Sequence, residues 1–371
     1  MSEEKLLIQM VSEALEKVKD NKEDFLKVFR FYCLIYFGKC HSLFTYPGSK
    51  EKMAEELNEI FDKLYLEKVA YTNKGYDSFI DVLGGAANST IVLLDSLIIS
   101  GVKKFYFNDI DCCIYNTHKN CKDKSEEMIN QFSEFVRTKF IQPYGTIFLD
   151  RDTYQKIISE EIDEFYKLQS NKDYGASTTV RFMFLRELAF SGVLRYRKKE
   201  DGGGHEYSKS IYNMKRATNE LFRIIPKIMK FSKLYNEIDI QFYNMDAFEL
   251  LELDEFKNNA DCLVNLDPPY VDEMQDDIDE DILKDMSDNE LEDCTVNYNV
   301  DFKHIDLLKK FNKMNFIYNN NKHPIVEYYS NKVNASHELF NRVDNLSATK
   351  DKKSKIVQEY IVNNNSLINF S

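Results

Sequence analysis

The sequence predicts an α/β protein, an open parallel sheet interrupted by a long helical insert. Three observations predict it. Between 77 and 111 the chain runs strand, glycine turn, helix, strand, acid, the order of a βαβ nucleotide-binding unit. Short runs with sheet character return at 238–243, 261–266 and 315–318. From about 112 to 235 the pattern is mainly helical and rich in bases and aromatics.

Composition sets the outer limits. With 371 residues the chain can bury one large core or two ordinary ones. Its 43% hydrophobic and 30% charged residues fit a soluble globular protein. The longest apolar region, 79–102, is broken by Asp81, Asn88 and Asp95 and does not read as a membrane span. The opening Met1-Ser2-Glu3-Glu4 is acidic, unlike a signal segment, so a cytoplasmic protein is expected. Seven cysteines, an odd number with no C-x-x-C pair, read as reduced thiols. The six histidines are scattered, and no metal site is expected.

A net charge of −13 argues against a nucleic-acid binder until its distribution is considered. Twelve acids and one base, Lys284, fall between Asp272 and Asp293, so that run holds −11 and the remainder only −2. The remainder can still present a basic face. A like-charge run is ordinarily a solvated loop; its place just after Tyr270 makes a lid or gate the alternative.

The elements follow in order. Residues 1–42 read as helical, with apolar positions at Leu6, Leu7, Met10, Val11, Leu15 and Val18. Turn residues from Thr45 to Lys50 break the pattern, and a helix resumes over about 51–66. A strand is expected over 77–83, then a tight turn at Gly84-Gly85-Ala86-Ala87. Asn88 or Ser89 is expected to cap the helix 90–99, which Gly101 ends. A second strand, 104–107, leads into Asn108-Asp109-Ile110-Asp111. The helical insert shows one clear break at 198–205, around Gly202-Gly203-Gly204.

Residues Asp267-Pro268-Pro269-Tyr270 carry the most chemistry. They follow the apolar run Cys262-Leu263-Val264-Asn265-Leu266, and two prolines stop that strand abruptly. A carboxylate before the rigid corner and an aromatic after it suit a planar group with an exocyclic amine. Asp267 and the Pro268 carbonyl can accept the amine hydrogens, and Tyr270 can stack. In isolation the same four residues are equally a strand-terminating turn.

Four further groups have two readings each. The small residues Gly84 and Gly85, with Asp81 leading in, let a cofactor approach the backbone, or simply pack. Asp109 can accept ribose hydroxyls, or cap a helix. Asp246 can accept from an adenine amine with Phe248 on the ring, or Asp246 is an N-cap and Phe248 core. Tyr46, Gly48 and Lys50 can border a pocket with Lys50 meeting a carboxylate, or form a surface turn.

The order of these groups resembles the Dam-type, D12 class N6-adenine-specific DNA methyltransferases. That family shows F-x-Y-x-G-x-K, an acid with F-x-G-x-G, N-D-I-N, a helical target-recognition insert, a D-F segment and D-P-P-Y. Here stand Phe44-Thr45-Tyr46-Pro47-Gly48-Ser49-Lys50, Asp81 with Leu83-Gly84-Gly85-Ala86-Ala87, and Asn108-Asp109-Ile110-Asp111. Asp246-Ala247-Phe248 and Asp267 to Tyr270 complete the order. Phe190-Ser191-Gly192-Val193-Leu194-Arg195-Tyr196 is similar to the family's F-x-G-x-x-R-Y. The likeness covers about 43–365. Leu83 stands for the usual Phe, Ala87 for the last Gly and Arg197 for a common Asn.

The resemblance implies a Rossmann-like S-adenosylmethionine-dependent methyltransferase sheet over 43–125 and 235–371. A target-recognition insert would span 126–234 and an N-terminal helical extension 1–42. It implies methyl transfer from S-adenosylmethionine to the N6 amine of a flipped adenine in double-stranded DNA. Asp267, Pro268, Pro269 and Tyr270 would be catalytic. Tyr46, Gly48, Lys50, Asp81, Gly84, Gly85, Asp109, Asp246 and Phe248 would hold the cofactor. Arg195, Arg197 and Lys198 would touch DNA, and a restriction endonuclease is a conceivable partner. An RNA adenine or N4-cytosine methyltransferase, or a non-catalytic binding protein keeping the fold, are the alternatives.

Overall fold

A computed structural model describes residues 3–33, 42–44, 50–147, 149–188, 196–198, 205–207, 214–257, 259–269, 304–310, 314–332, 335–344 and 355–364. The chain divides into two compact units, Met1–Gly48 with Asp111–Glu237, and Ser49–Ile110 with Ile238–Ser371. Among the described residues the strands are β1 (Ser78–Asp81), β2 (Lys104–Asn108), β3 (Tyr196–Lys198), β4 (His205–Tyr207), β5 (Asp239–Tyr243), β6 (Cys262–Leu266), β7 (Asn315–Asn321), β8 (Ser336–Asp344) and β9 (Lys355–Asn364). No described helix is long and apolar enough to cross a membrane.

The second unit holds a seven-stranded sheet in the order β5-β2-β1-β6-β7-β9-β8. The strands from β5 to β7 are parallel, and β9 and β8 run antiparallel. The expected parallel sheet is present in five strands, and β9 and β8 extend it into a mixed one. After β7 the chain passes through the helix Pro324–Lys332 and lays down β8; β9 then enters between β7 and β8 against both. Every residue of β6 is buried, which is why it reads as an apolar run apart from Asn265.

One face of the sheet packs Ile80, Val82, Tyr106, Val264, Leu266, Phe316 and Tyr318 with Leu250, Phe256 and Ile325 into a single core. Side chains alternate along a strand, so Asp81 and Asn265 face the other way from Ile80, Val82, Val264 and Leu266. The helix expected over 51–66 begins as a 3-10 turn, Lys50–Met53, and runs as Ala54–Thr72. No Gly or Pro stops it before Asn73, which takes a left-handed conformation and donates its N–H to Val69 O at 2.8 Å.

The first unit is helical. Helix Lys22–Cys33 sets Phe29 against Phe132 and Phe222, with ring centroids 6.2 and 5.9 Å apart. Arg30 forks onto Glu126 through two bonds of 3.0 Å. The N-terminal helices and the helices of the insert thus share one core. Two buried carboxylates of this unit are paired with cations, which offsets their desolvation: Glu187 with Lys227 at 2.5 Å, and Glu161 with Arg181 and Lys139 at 2.9 and 2.8 Å. The insert also contains a small antiparallel ribbon of β3 and β4, pairing Tyr196 with Tyr207 and Lys198 with His205.

Candidate active site

The site lies in the sheet unit, where β1, β2, β5 and β6 end. β1 ends at Asp81, earlier than the expected 83, because Val82 and Leu83 already belong to the turn. Asp81 is 1% exposed. Its Oδ2 accepts from Thr90 Oγ1 at 2.7 Å and its Oδ1 from Asn265 Nδ2 at 2.9 Å. Burial raises its pKa to about 6, and the charge of Asp267 adds to the rise; the Thr90 and Asn265 hydrogen bonds oppose both.

The chain then crosses to helix Asn88–Ile99 by a closed turn. Val82 N–H donates to Asn265 O, Gly84 N–H to Asn108 O and Ala87 N–H to Gly84 O, at 3.1, 2.8 and 2.7 Å. Gly85 has φ 51°, which favours glycine. A Cβ on Gly84 would lie 2.1 Å from the Phe107 ring, so packing alone already requires glycine there. The expected cap at Asn88 or Ser89 is corrected. Both lie inside the helix and are buried; Ala87, at φ 61°, is the N-cap residue and offers no side-chain bond.

Asp109 follows β2. It is 8% exposed, and its Oδ2 accepts the Gly85 N–H at 3.0 Å. Asp111, not Asp109, caps the helix Cys112–Asp123. Neighbouring Asn108 joins three strand ends. Its Nδ2 donates to Val82 O at 2.9 Å and to Met245 O at 3.1 Å, and its Oδ1 accepts from Met245 N at 3.0 Å. Asn244 Nδ2 donates to the Asp109 carbonyl at 2.7 Å.

Asp246 caps the short helix Ala247–Leu250, accepting from Phe248 N at 2.8 Å and Glu249 N at 3.4 Å. Phe248 is half-buried against the core. These are the plain alternatives named for both residues, and both still stand at the carboxyl edge of the sheet.

β6 leads directly into the proline corner. Pro268 is buried and Pro269 exposed. The Asp267 side chain is 22% exposed and that of Lys50 1%, and Lys50 Nζ lies 2.8 Å from Asp267 Oδ1. A buried ammonium needs such a partner. Lys50, which the resemblance assigns to the cofactor, here pairs with Asp267.

Behind the corner, Tyr318 Oη lies 2.7 Å from both Asn320 Nδ2 and His304 Nδ1. The amide nitrogen Asn320 Nδ2 can only donate, so the tyrosine proton goes to His304 Nδ1 and the imidazole proton sits on Nε2. Burial lowers the His304 pKa to about 3, in keeping with a neutral ring.

The structure thus brings Lys50 to Asp267, Gly85 to Asp109, and Asp81 through Asn265 to the strand that carries Asp267. Tyr46, Gly48, Tyr270, Arg195 and the acidic run 272–293 lie outside the described residues. Arg197 and Lys198 are described as strand backbone only. Sequence reading missed Thr90, Asn108, Asn244 and Asn265 as site residues. A polar Asn in the otherwise apolar run 262–266 was the available signal for the last.

A family model described as D12 class N6 adenine-specific DNA methyltransferase matches residues 46–304. No curated protein matches the chain.

Proposed function

The chain belongs to the D12 class N6 adenine-specific DNA methyltransferases, and on that premise we propose that it moves a methyl group from S-adenosylmethionine to the N6 amine of an adenine turned out of the duplex. Membership makes it an adenine-specific DNA methyltransferase; the donor, the flipped base and the residue roles are the finer reading.

The residues present fit the donor. Asp109 suits a ribose diol, and Asp246 with half-buried Phe248 suits an adenine; the Lys50 ammonium is already paired with Asp267. The positive φ of Gly85 leaves close backbone approach open. Bound there, S-adenosylmethionine supplies an electrophilic methyl on a positively charged sulfur.

The rest is done by the chain. An arylamine is a poor nucleophile because its lone pair is delocalised into the ring. Asp267 and the Pro268 carbonyl accept hydrogen bonds from its two N–H groups, which draws the nitrogen toward tetrahedral geometry and frees the lone pair. As the N–C bond forms and the S–C bond breaks, the one proton the nitrogen must lose leaves toward the Asp267 carboxylate. Lys50 holds the Asp267 carboxylate in place until the amine arrives. The contribution is positioning and preorganised charge. A base must leave the duplex to reach such a corner, and stacking on Tyr270 offsets about 1–3 kcal/mol of the loss.

One observation carries the reading. The Asp267–Pro268 corner is held by a buried lysine and stands at the end of a strand tied to the glycine-turn strand. Asp267→Ala tests it. N6-methyladenine in digested product DNA should disappear, while calorimetric affinity for S-adenosylmethionine stays within about tenfold of the parent. Undiminished methylation would remove Asp267 from the mechanism, and N4-methylcytosine in the parent's product would change the target base.

A further inference from the structure

We propose that Asn265 is a positioning residue for methyl transfer, setting the separation between the glycine turn and the Asp267–Pro268 corner through its bond to Asp81. The inference rests on the catalytic role given above to Asp267.

Asn265 is an anomaly in its strand. β6 is buried throughout, and a buried amide is costly unless bonded. Only half of this amide is bonded within the described residues. Nδ2 donates to Asp81 Oδ1 at 2.9 Å, while Oδ1 is buried without a partner. A leucine or valine would serve packing better. What the amide adds is a side-chain tie between two strands that are already paired, Asp81 opposite Asn265.

The position of the tie matters. Asp81 is the last residue of β1, and the turn starts at the next residue. Its second oxygen holds Thr90 in the helix that follows the turn, at 2.7 Å. The turn 82–87 is therefore flanked on both sides by contacts to one carboxylate, at the end of β1 and in the first turn of the following helix. Asn265 is two residues before Asp267, with no glycine between them and a proline after. The side-chain bond thus adds to the Val82 N–H to Asn265 carbonyl bond in linking the turn that would hold the donor to the corner that would hold the acceptor. In-line transfer is sensitive to that distance: a displacement of about 1 Å costs on the order of 100-fold in rate.

Asp81 is a carboxylate among neutral donors. The helix 88–99 presents Thr90 and β6 presents Asn265. The charged group acting on it is Asp267, itself paired with Lys50 of the 3-10 turn.

Two substitutions test the proposal. Asn265→Leu keeps the volume and removes the tie. The single-turnover methylation rate should fall about 10- to 100-fold, and calorimetric affinity for S-adenosylhomocysteine should stay within about threefold. Asn265→Asp keeps the shape but places two buried carboxyls side by side, which hold together only while they share a proton. The variant-to-parent rate ratio should be highest at acidic pH and fall as pH rises. Its unfolding midpoint relative to the parent should fall over the same range.

A merely structural amide behaves differently. Asn265→Leu then lowers the unfolding midpoint with the single-turnover rate within about twofold of the parent, and that result overturns the proposal. If Asn265→Leu does not fold, Asn265→Asp decides: a rate ratio flat with pH overturns it equally. A parent chain that methylates no adenine is a separate failure, sinking the assignment of Asp267 beneath it.

Discussion

Asp81 shows how much one carboxyl can carry. It is buried between two donors, and its pKa is raised to about 6 by burial first and by Asp267 second. A raised folded pKa means that the stabilising form is the protonated one. That contribution is present below the unfolded value near 4 and is lost as pH climbs through about 6. Ionised Asp81 at pH 7 therefore costs about 3 kcal/mol relative to the protonated acid. Asp81→Asn removes this penalty. Its unfolding free energy relative to the parent should rise between about pH 4 and 6 and level off above pH 7, which urea titrations at a series of pH values will show. A difference flat with pH would mean that water reaches the carboxyl. The sequence pointed to Asp81 as the acid leading into the turn. Its partners Thr90 and Asn265 lie 9 and 184 residues away, so nothing local announced them.

The strand–turn–helix element was the most legible piece, because an apolar strand, a cluster of small residues and a helical run follow one another directly. Its detail was not. Ala87 adopts φ 61°, a left-handed conformation that costs a Cβ-bearing residue about 1–2 kcal/mol. The likeness to F-x-G-x-G had flagged this as a position where glycine is usual, and the backbone gives the reason. Ala87→Gly should raise stability by about 1 kcal/mol, after the entropy glycine loses on folding, readable as a higher thermal midpoint. A lower midpoint would mean that the buried methyl contributes more through packing than its backbone strain costs. The proline corner was legible too, since two prolines terminate β6 by covalent geometry. β8 and β9 were not. Their sequences, SHELFNRVD and KIVQEYIVNN, mix polar and apolar residues, and their antiparallel order depends on which strand β9 enters beside.

Over the whole molecule, charge and core are distributed unevenly. Eleven of the thirteen net negative charges fall in 272–293. A polyanionic run in a chain that acts on DNA opposes the phosphate backbone at long range. Replacing its Asp and Glu by Asn and Gln should tighten DNA binding at low salt, and the gain should fade as ionic strength rises and the Debye length shortens. An affinity unchanged at low salt would show that the run lies beyond the reach of bound DNA. The other uneven feature is the N-terminal helical stretch. Its periodicity announced an apolar face, yet nothing local said what that face covers. Phe29 meets Phe132 and Phe222, residues about 100 and 190 positions away.

The order of motifs, the parallel strands β1, β2, β5, β6 and β7, the glycine turn and the proline corner can all be read from the residues in chain order. Each of these is set by covalent geometry or by short-range periodicity. Tertiary structure alone decided which groups meet. It paired Lys50 with Asp267, bound Asp109 to the turn through Gly85, placed Asn265 against Asp81, and made the sheet mixed. Such pairings arise because burial forces each charge and amide to find a partner across strands that are adjacent in space and far apart in the chain.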